Sequence, residues 1–220
     1  MDKGRKIEVI LKHKALFIIR TDDLENSLKC FEVLVEGGAR IIEFTSTIPD
    51  FEKAIKKAKK MINNEGILVG AGTILDKELA LKALEGDPDF LVNPTQNFEI
   101  IDVIPSNKVI FMGGFTPTEI IQNYRKGVDF IKIFPASVLG PKFINSLKKG
   151  PLPFIKVLAS GGMDISIIRE YILSGADVIG IGSEVIKANL IQENNFSKIK
   201  ELTKQYIHVI NETNLDTNQN

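Results

Sequence analysis

Val128-Asp129-Phe130-Ile131-Lys132-Ile133-Phe134 is a short, mostly apolar run bounded by Gly127 on one side and Pro135 on the other. A run of this length, rich in β-branched and aromatic residues, reads as a buried strand. Side chains alternate across a strand, so Phe130, Lys132 and Phe134 share one face while Asp129, Ile131 and Ile133 share the other. Similar runs recur at 15–20, 40–44, 67–70, 89–92, 109–111, 155–159 and 177–181, which brings the strands to eight. Between them lie charged, amphipathic stretches at 23–36, 50–62, 76–84, 118–126, 142–148 and 164–173, which read as helices.

Strand and helix in alternation imply a parallel sheet. Eight such units in a chain of 220 residues suit a single-domain α/β fold, a closed TIM (β/α)8 barrel, with an open doubly wound sheet as the alternative. Asp22 or Asp23, and Asp76, stand where helix starts want a capping carboxylate, and Gly37, Gly127 and Gly175 lie just past helix ends. Ile7, Ile10 and Leu11 have helical spacing, so residues 1–14 hold a short N-terminal helix against one end of the core. The barrel then occupies 15–210, and the polar, aperiodic stretch 211–220 reads as a tail that frays.

Composition narrows the function. Lysine plus arginine equals aspartate plus glutamate at 28 each, which leaves no surplus charge for gripping nucleic acid or an anionic membrane. The partner expected is a small molecule held by local groups. The single cysteine, Cys30, has no partner for an internal disulfide, and the N-terminus lacks a signal-peptide core, so a cytoplasmic enzyme is the expectation. His13 and His208 are far apart with no metal-ligand spacing, so no metal is expected. Ser183 lacks a histidine and acid arrangement for hydrolysis.

Strand parity supplies the chemistry. In a barrel, Ile131 and Ile133 face the helices and Lys132 faces the interior. Desolvation lowers a lysine pKa from its usual value of about 10.4, and a fall to about 7 to 8 makes a neutral amine available for attack on a carbonyl. Alternatively, Lys132 extends its ammonium to solvent at the strand end. Glu43 shares the inward face of the second strand with Ile41 and Thr45, near the C-terminal rim. It reads either as a structural ion-pair partner of Lys132 or Arg20, or as the group that moves protons during carbonyl chemistry. Arg20 ends the first strand, where a guanidinium can hold a carboxylate or phosphate through two hydrogen bonds. Gly161 and Gly162 follow the seventh strand, and Gly182 and Ser183 the eighth. Those are the positions at which barrels gather backbone amides around a phosphate, although each glycine pair also reads as an ordinary turn.

Five segments together are similar to the bacterial 2-keto-3-deoxy-6-phosphogluconate and 4-hydroxy-2-oxoglutarate aldolase family. They are Gly37-Gly38-Ala39-Arg40-Ile41-Ile42-Glu43-Phe44-Thr45, Val69-Gly70-Ala71-Gly72-Thr73, Asn93-Pro94, Gly113-Gly114-Phe115-Thr116-Pro117-Thr118-Glu119 and Ile131-Lys132-Ile133-Phe134-Pro135-Ala136, and their order and spacing are kept from about residue 15 to residue 188. The resemblance implies a class I aldolase on a TIM barrel, a homotrimer that needs no metal or organic cofactor. By motif position it makes Lys132 the Schiff-base lysine, Glu43 the proton-transfer residue and Thr73 a contact to the pyruvyl carboxylate. It makes Pro94 and Phe134 pocket-shaping residues, and places Gly161, Gly162, Gly182 and Ser183 at the substrate phosphate.

One position departs from the family. Thr47 stands where well-studied members carry an arginine that binds the keto-acid carboxylate. Related phosphogalactonate aldolases lack that arginine too and have one at the end of the first strand, so Arg20 is the expected substitute at the substrate-binding position of Thr47. The expected activity is cleavage of a 2-keto-3-deoxy-6-phospho sugar acid, or of 4-hydroxy-2-oxoglutarate, to pyruvate and an aldehyde. A phosphogalactonate aldolase or relaxed keto-acid lyase is the nearest alternative. A catalytically silent barrel that binds a sugar phosphate is the alternative from another class.

Overall fold

The computed structural model describes residues 1–62 and 66–217. Eight strands, β1 (Ala15–Ile19), β2 (Ile41–Thr45), β3 (Leu68–Gly72), β4 (Phe90–Asn93), β5 (Val109–Gly113), β6 (Phe130–Ile133), β7 (Val157–Ser160) and β8 (Val178–Ile181), close into one barrel in sequence order. Every pairing is parallel, including β1 with β8, where Leu16 lies in register with Gly180. This is a TIM barrel in a single domain, and the open-sheet alternative is set aside.

The helices are α1 (Lys3–His13), α2 (Leu24–Glu36), α3 (Phe51–Met61), α4 (Lys77–Leu84), α5 (Pro117–Arg125), α6 (Ala136–Leu139), α7 (Pro141–Lys149), α8 (Ile168–Leu173), α9 (Ala188–Gln192) and α10 (Phe196–Thr217), with a 3-10 turn at Phe98–Val103. Capping follows the acidic signals. Asp23 accepts from the Asn26 amide at 2.7 Å and Asp76 from the Leu79 amide at 2.8 Å, so Asp23 rather than Asp22 starts α2. Thr116 and Glu119 form a reciprocal capping box at the start of α5.

Two layers of apolar side chains fill the fold. Phe17, Ile42, Val69 and Ile131 point outward and are buried under the helices. Leu16, Ile41, Phe90, Phe111, Phe130 and Leu158 fill the barrel interior, and Val9 and Ile10 of α1 close its N-terminal end. Inside, Phe111 stacks on Phe130 at 4.6 Å and meets Phe90 edge-on at 5.6 Å, arrangements worth about 0.5–1.5 kcal/mol each beyond their area. The ring of Phe90 fits because Gly70 faces it, since a Cβ there would lie 2.2 Å from the ring.

The C-terminal segment differs from its sequence reading. No tail begins at Asn211, because α10 continues to Thr217, and only 218–220 of the expected tail lie outside the described residues. Ile199, Thr203, Tyr206, Ile210 and Thr213 are buried along one stripe of α10. The polar members of that stripe disguise it, and the Thr203 and Thr213 hydroxyls are satisfied by the helix carbonyls of Ile199 and Val209. Gly37 lets α10 approach α2, since a Cβ there would lie 2.8 Å from Thr203. Two strand ends are also shorter than expected, so Arg20 and Phe134 sit just beyond β1 and β6.

Candidate active site

The inward side chains at the C-terminal end of the barrel surround a cavity of about 820 Å³. Lys132, Glu43, Arg20 and Phe134 line it, as do Thr73 and Pro94 from the loops after β3 and β4. Gly161, Gly162, Gly182 and Ser183 line its far side. Of the residues expected at the site, Thr47 alone does not line the cavity, and it is hydrogen-bonded to Arg20, which does.

β6 carries Lys132 at its centre, in register with Gly113 on one side and Leu158 on the other. The residue is 5% exposed, with its amine 5.3 Å from the centre of the Phe134 ring. It does not extend its amine to solvent, as the alternative sequence reading had it. Burial pushes its pKa down, the nearby Glu43 carboxylate pulls it back up, and the Arg20 guanidinium pushes it down further. The direction is toward a neutral amine.

Glu43 on β2 is 1% exposed, and its space depends on Gly72, where a Cβ would fall 1.7 Å from the Glu43 carboxylate. Burial raises the Glu43 pKa, against the lowering pull of Lys132 and Arg20. Among the described residues Glu43 forms no ion pair within 4.0 Å, and its Oε2 has no hydrogen-bond partner. A structural ion pair would have satisfied that oxygen. An unpartnered carboxyl beside a buried amine can instead exchange a proton with a molecule that enters the cavity.

Arg20 reaches across the rim. Its Nη1 donates to Thr47 Oγ1 at 3.1 Å and its Nη2 to Thr73 Oγ1 at 3.1 Å. Thr47 Oγ1 is in turn 2.8 Å from Thr45 Oγ1. The guanidinium therefore sits between the Thr47 position and the Thr73 loop, with its charge directed at one end of the cavity. Thr73 adopts a φ of 58°, and its carbonyl accepts from Ser46 Oγ at 2.7 Å, which holds the loop in that left-handed conformation. Cys30 lies outside the site, with its thiol pushed by burial up to about 12.

Three site features escaped the sequence reading. Gly72 makes room for Glu43, and Gly180 makes room for buried Ser160, whose Oγ a Cβ at Gly180 would approach to 2.7 Å. Parity on β3 and β8 carries that signal, since Gly70, Gly72, Gly180 and Gly182 occupy inward positions. The third is Glu184, whose carboxylate accepts from backbone amides on both sides of the β7–β8 rim. Nothing in its local sequence marks it.

The geometry has counterparts in known proteins. The model of the family described as KDPG and KHG aldolase matches residues 7–202. A 2-dehydro-3-deoxy-phosphogluconate aldolase of Haemophilus influenzae is 29% identical over 206 residues, covering 93% of this chain and 96% of the relative. A probable 2-dehydro-3-deoxy-6-phosphogalactonate aldolase of Rhizobium meliloti is 30% identical over 158 residues, covering 71% of this chain and 74% of the relative. Among solved structures, KDPG aldolase from Legionella pneumophila, with pyruvate captured at low pH as a covalent carbinolamine intermediate, superposes with a TM-score of 0.81. It is 25% identical, and the match covers 89% of this chain and 95% of that one.

Proposed function

The chain belongs to the KDPG and KHG aldolase family and is a lyase, and we propose that it is a class I aldolase in which Lys132 forms a Schiff base with a 2-keto-4-hydroxy acid and releases pyruvate. The observation that carries this reading is a buried Lys132 amine, biased toward its neutral form, sharing a cavity with a Glu43 carboxyl that has an unpartnered oxygen.

In the proposed sequence the neutral Lys132 amine attacks the C2 carbonyl, and one amine proton moves to the new alkoxide to give a carbinolamine. Protonation of that hydroxyl by Glu43 and loss of one water leave an iminium. The Glu43 carboxylate then takes the C4 hydroxyl proton, directly or through water. The C3–C4 bonding pair moves into the iminium, forming an enamine and freeing an aldehyde. Protonation at C3 by Glu43 restores the iminium, and one water hydrolyses it to pyruvate and the free amine, with the released proton returning to the Glu43 carboxylate. Atoms balance, since the water lost in dehydration is returned in hydrolysis.

Arg20, with Thr73 beside it and Thr47 behind it, holds the keto-acid carboxylate in this reading. Pro94 and Phe134 shape the pocket, and Phe134 limits water around the amine. The charge that family members carry at the Thr47 position is then delivered across the rim from β1. This resembles the expectation for phosphogalactonate aldolases at the keto-acid end of the pocket, which is the second reading. A homotrimer in the cytoplasm belongs to the same proposal on family grounds, and a monomeric mass by light scattering would contradict the assembly.

Borohydride trapping with pyruvate, followed by intact mass and peptide mapping, tests the chemistry. The expected result is one reduced pyruvyl adduct on Lys132. Absence of an adduct there would overturn the Schiff-base reading and favour a silent binding barrel.

A further inference from the structure

Resting on the aldolase reading above, we propose that the pocket selects keto acids whose far end is an uncharged, hydroxyl-bearing chain, and that Glu184 is the specificity residue that disfavours a phosphate there. The rim at β7 and β8 has the shape of an anion cradle, with Gly161 and Gly162 at φ of 89° and 73°. This chain supplies its own anion to that rim. Glu184 Oε1 accepts from the Met163 amide at 3.1 Å, and Glu184 Oε2 accepts from the Gly182 amide at 3.0 Å.

The surrounding charges point the same way. Asp22 and Asp23, on the loop after β1, line the same cavity as Glu184, and its cationic lining residues among those described are Arg20 and Lys132, which the proposed function assigns to the keto acid. A phosphate at this rim meets the Glu184 carboxylate on the amides it would use, in a cavity that Asp22 and Asp23 also line. It gains the Gly182 and Met163 amides only by displacing Glu184. The hydroxyls of a sugar-acid chain instead donate to the Glu184 carboxylate and exchange hydrogen bonds with Asn26, Gln192 and Asn194, which also line the cavity. The same repulsion counts against a terminal carboxylate. The glycine-rich rim thus keeps the form expected of a phosphate site while its charge is reversed.

The test compares kcat/KM for retro-aldol cleavage of an unphosphorylated 2-keto-3-deoxy sugar acid and its 6-phosphate, each as a mixture of C4 epimers. It uses the full chain and its Glu184→Gln and Glu184→Ala variants. Reading the ratio of the two substrates cancels any general loss of activity in a variant. The parent is expected to favour the unphosphorylated acid by about 10-fold or more, and both substitutions are expected to move the ratio toward the phosphate by about 10-fold. Glutamine keeps one acceptor oxygen and removes the charge, so a shift in that variant reports charge rather than shape. A parent that prefers the phosphorylated acid, or fails to cleave the unphosphorylated one, overturns the proposal, as does a ratio unmoved by both substitutions. Pyruvate has no far end, so its adduct on Lys132 is measured alongside. If the adduct forms and the preference is wrong, only the specificity inference fails. If no adduct forms, the aldolase reading fails and this inference with it.

Discussion

The two ends of the barrel each bury a lysine, and they treat it in opposite ways. At the N-terminal end Lys6 is 3% exposed, yet its amine donates to the Asn107 carbonyl at 3.1 Å and lies 3.4 Å from the Asp89 carboxylate. Asp89 is further tied to the Val69 amide, and Lys108 pairs with Asp87 nearby. At the C-terminal end Lys132 is 5% exposed and Glu43 1%, and neither forms an ion pair among the described residues. Burial pushes both lysines down, but only Lys6 has a charged partner close enough to hold its ammonium in place. One end satisfies its buried charges and stabilises the fold, while the other leaves an amine and a carboxyl uncommitted.

The largest break in this contrast is Lys132→Met. It is expected to lower kcat by at least about 10⁴-fold while leaving the melting temperature equal or higher, because a desolvated amine is replaced by an apolar chain of similar length. A fall in melting temperature of several degrees would show that Lys132 was structural. Next, Glu43→Gln keeps the shape of the site and removes the carboxyl proposed to carry protons. A fall in kcat of about 10²–10⁴-fold is expected in steady-state cleavage, with the protein still folded.

The opposite end should respond in the opposite sense. Lys6→Met leaves Asp89 short of a partner, and chemical denaturation should show a loss of about 2 kcal/mol with kcat unchanged. If Lys6→Met lost activity without stability, the division between the ends would be wrong. The smallest effect is expected from Arg20→Ala, with KM for the keto acid rising about 10-fold. Arg20 lowers the Lys132 pKa, so removing it raises that pKa. The neutral amine then persists over a narrower range, and the acidic limb of the pH–rate profile moves to higher pH. A Thr47→Arg variant that tightened binding while Arg20→Ala did nothing would refute the exchange of arginines.

Much of the chemical end is legible from strand parity, since an inward Lys132 and an inward Glu43 follow from alternation on β6 and β2 once the barrel is accepted. Arg20 and Phe134 are legible by position although both lie just past their strands, because parity persists one residue beyond the hydrogen-bonded ladder. Two kinds of feature stay hidden. Space is one: Gly72 matters for the Cβ it lacks beside Glu43, which requires knowing what lies across from it. Backbone partners are the other, since Glu184 is defined by amides at Met163 and Gly182 rather than by a motif. Helix α10 is obscured for a different reason, as its buried stripe includes Thr203 and Thr213, so its polarity resembles that of a tail.

The most direct test of the account is the pH dependence of pyruvate trapping on Lys132, measured as the initial rate of adduct formation under borohydride. With an amine biased toward its neutral form, the rate should level off below the ordinary lysine value of 10.5. A rate that keeps rising about tenfold per pH unit through about pH 9 would mark Lys132 as an ordinary charged lysine and contradict the account.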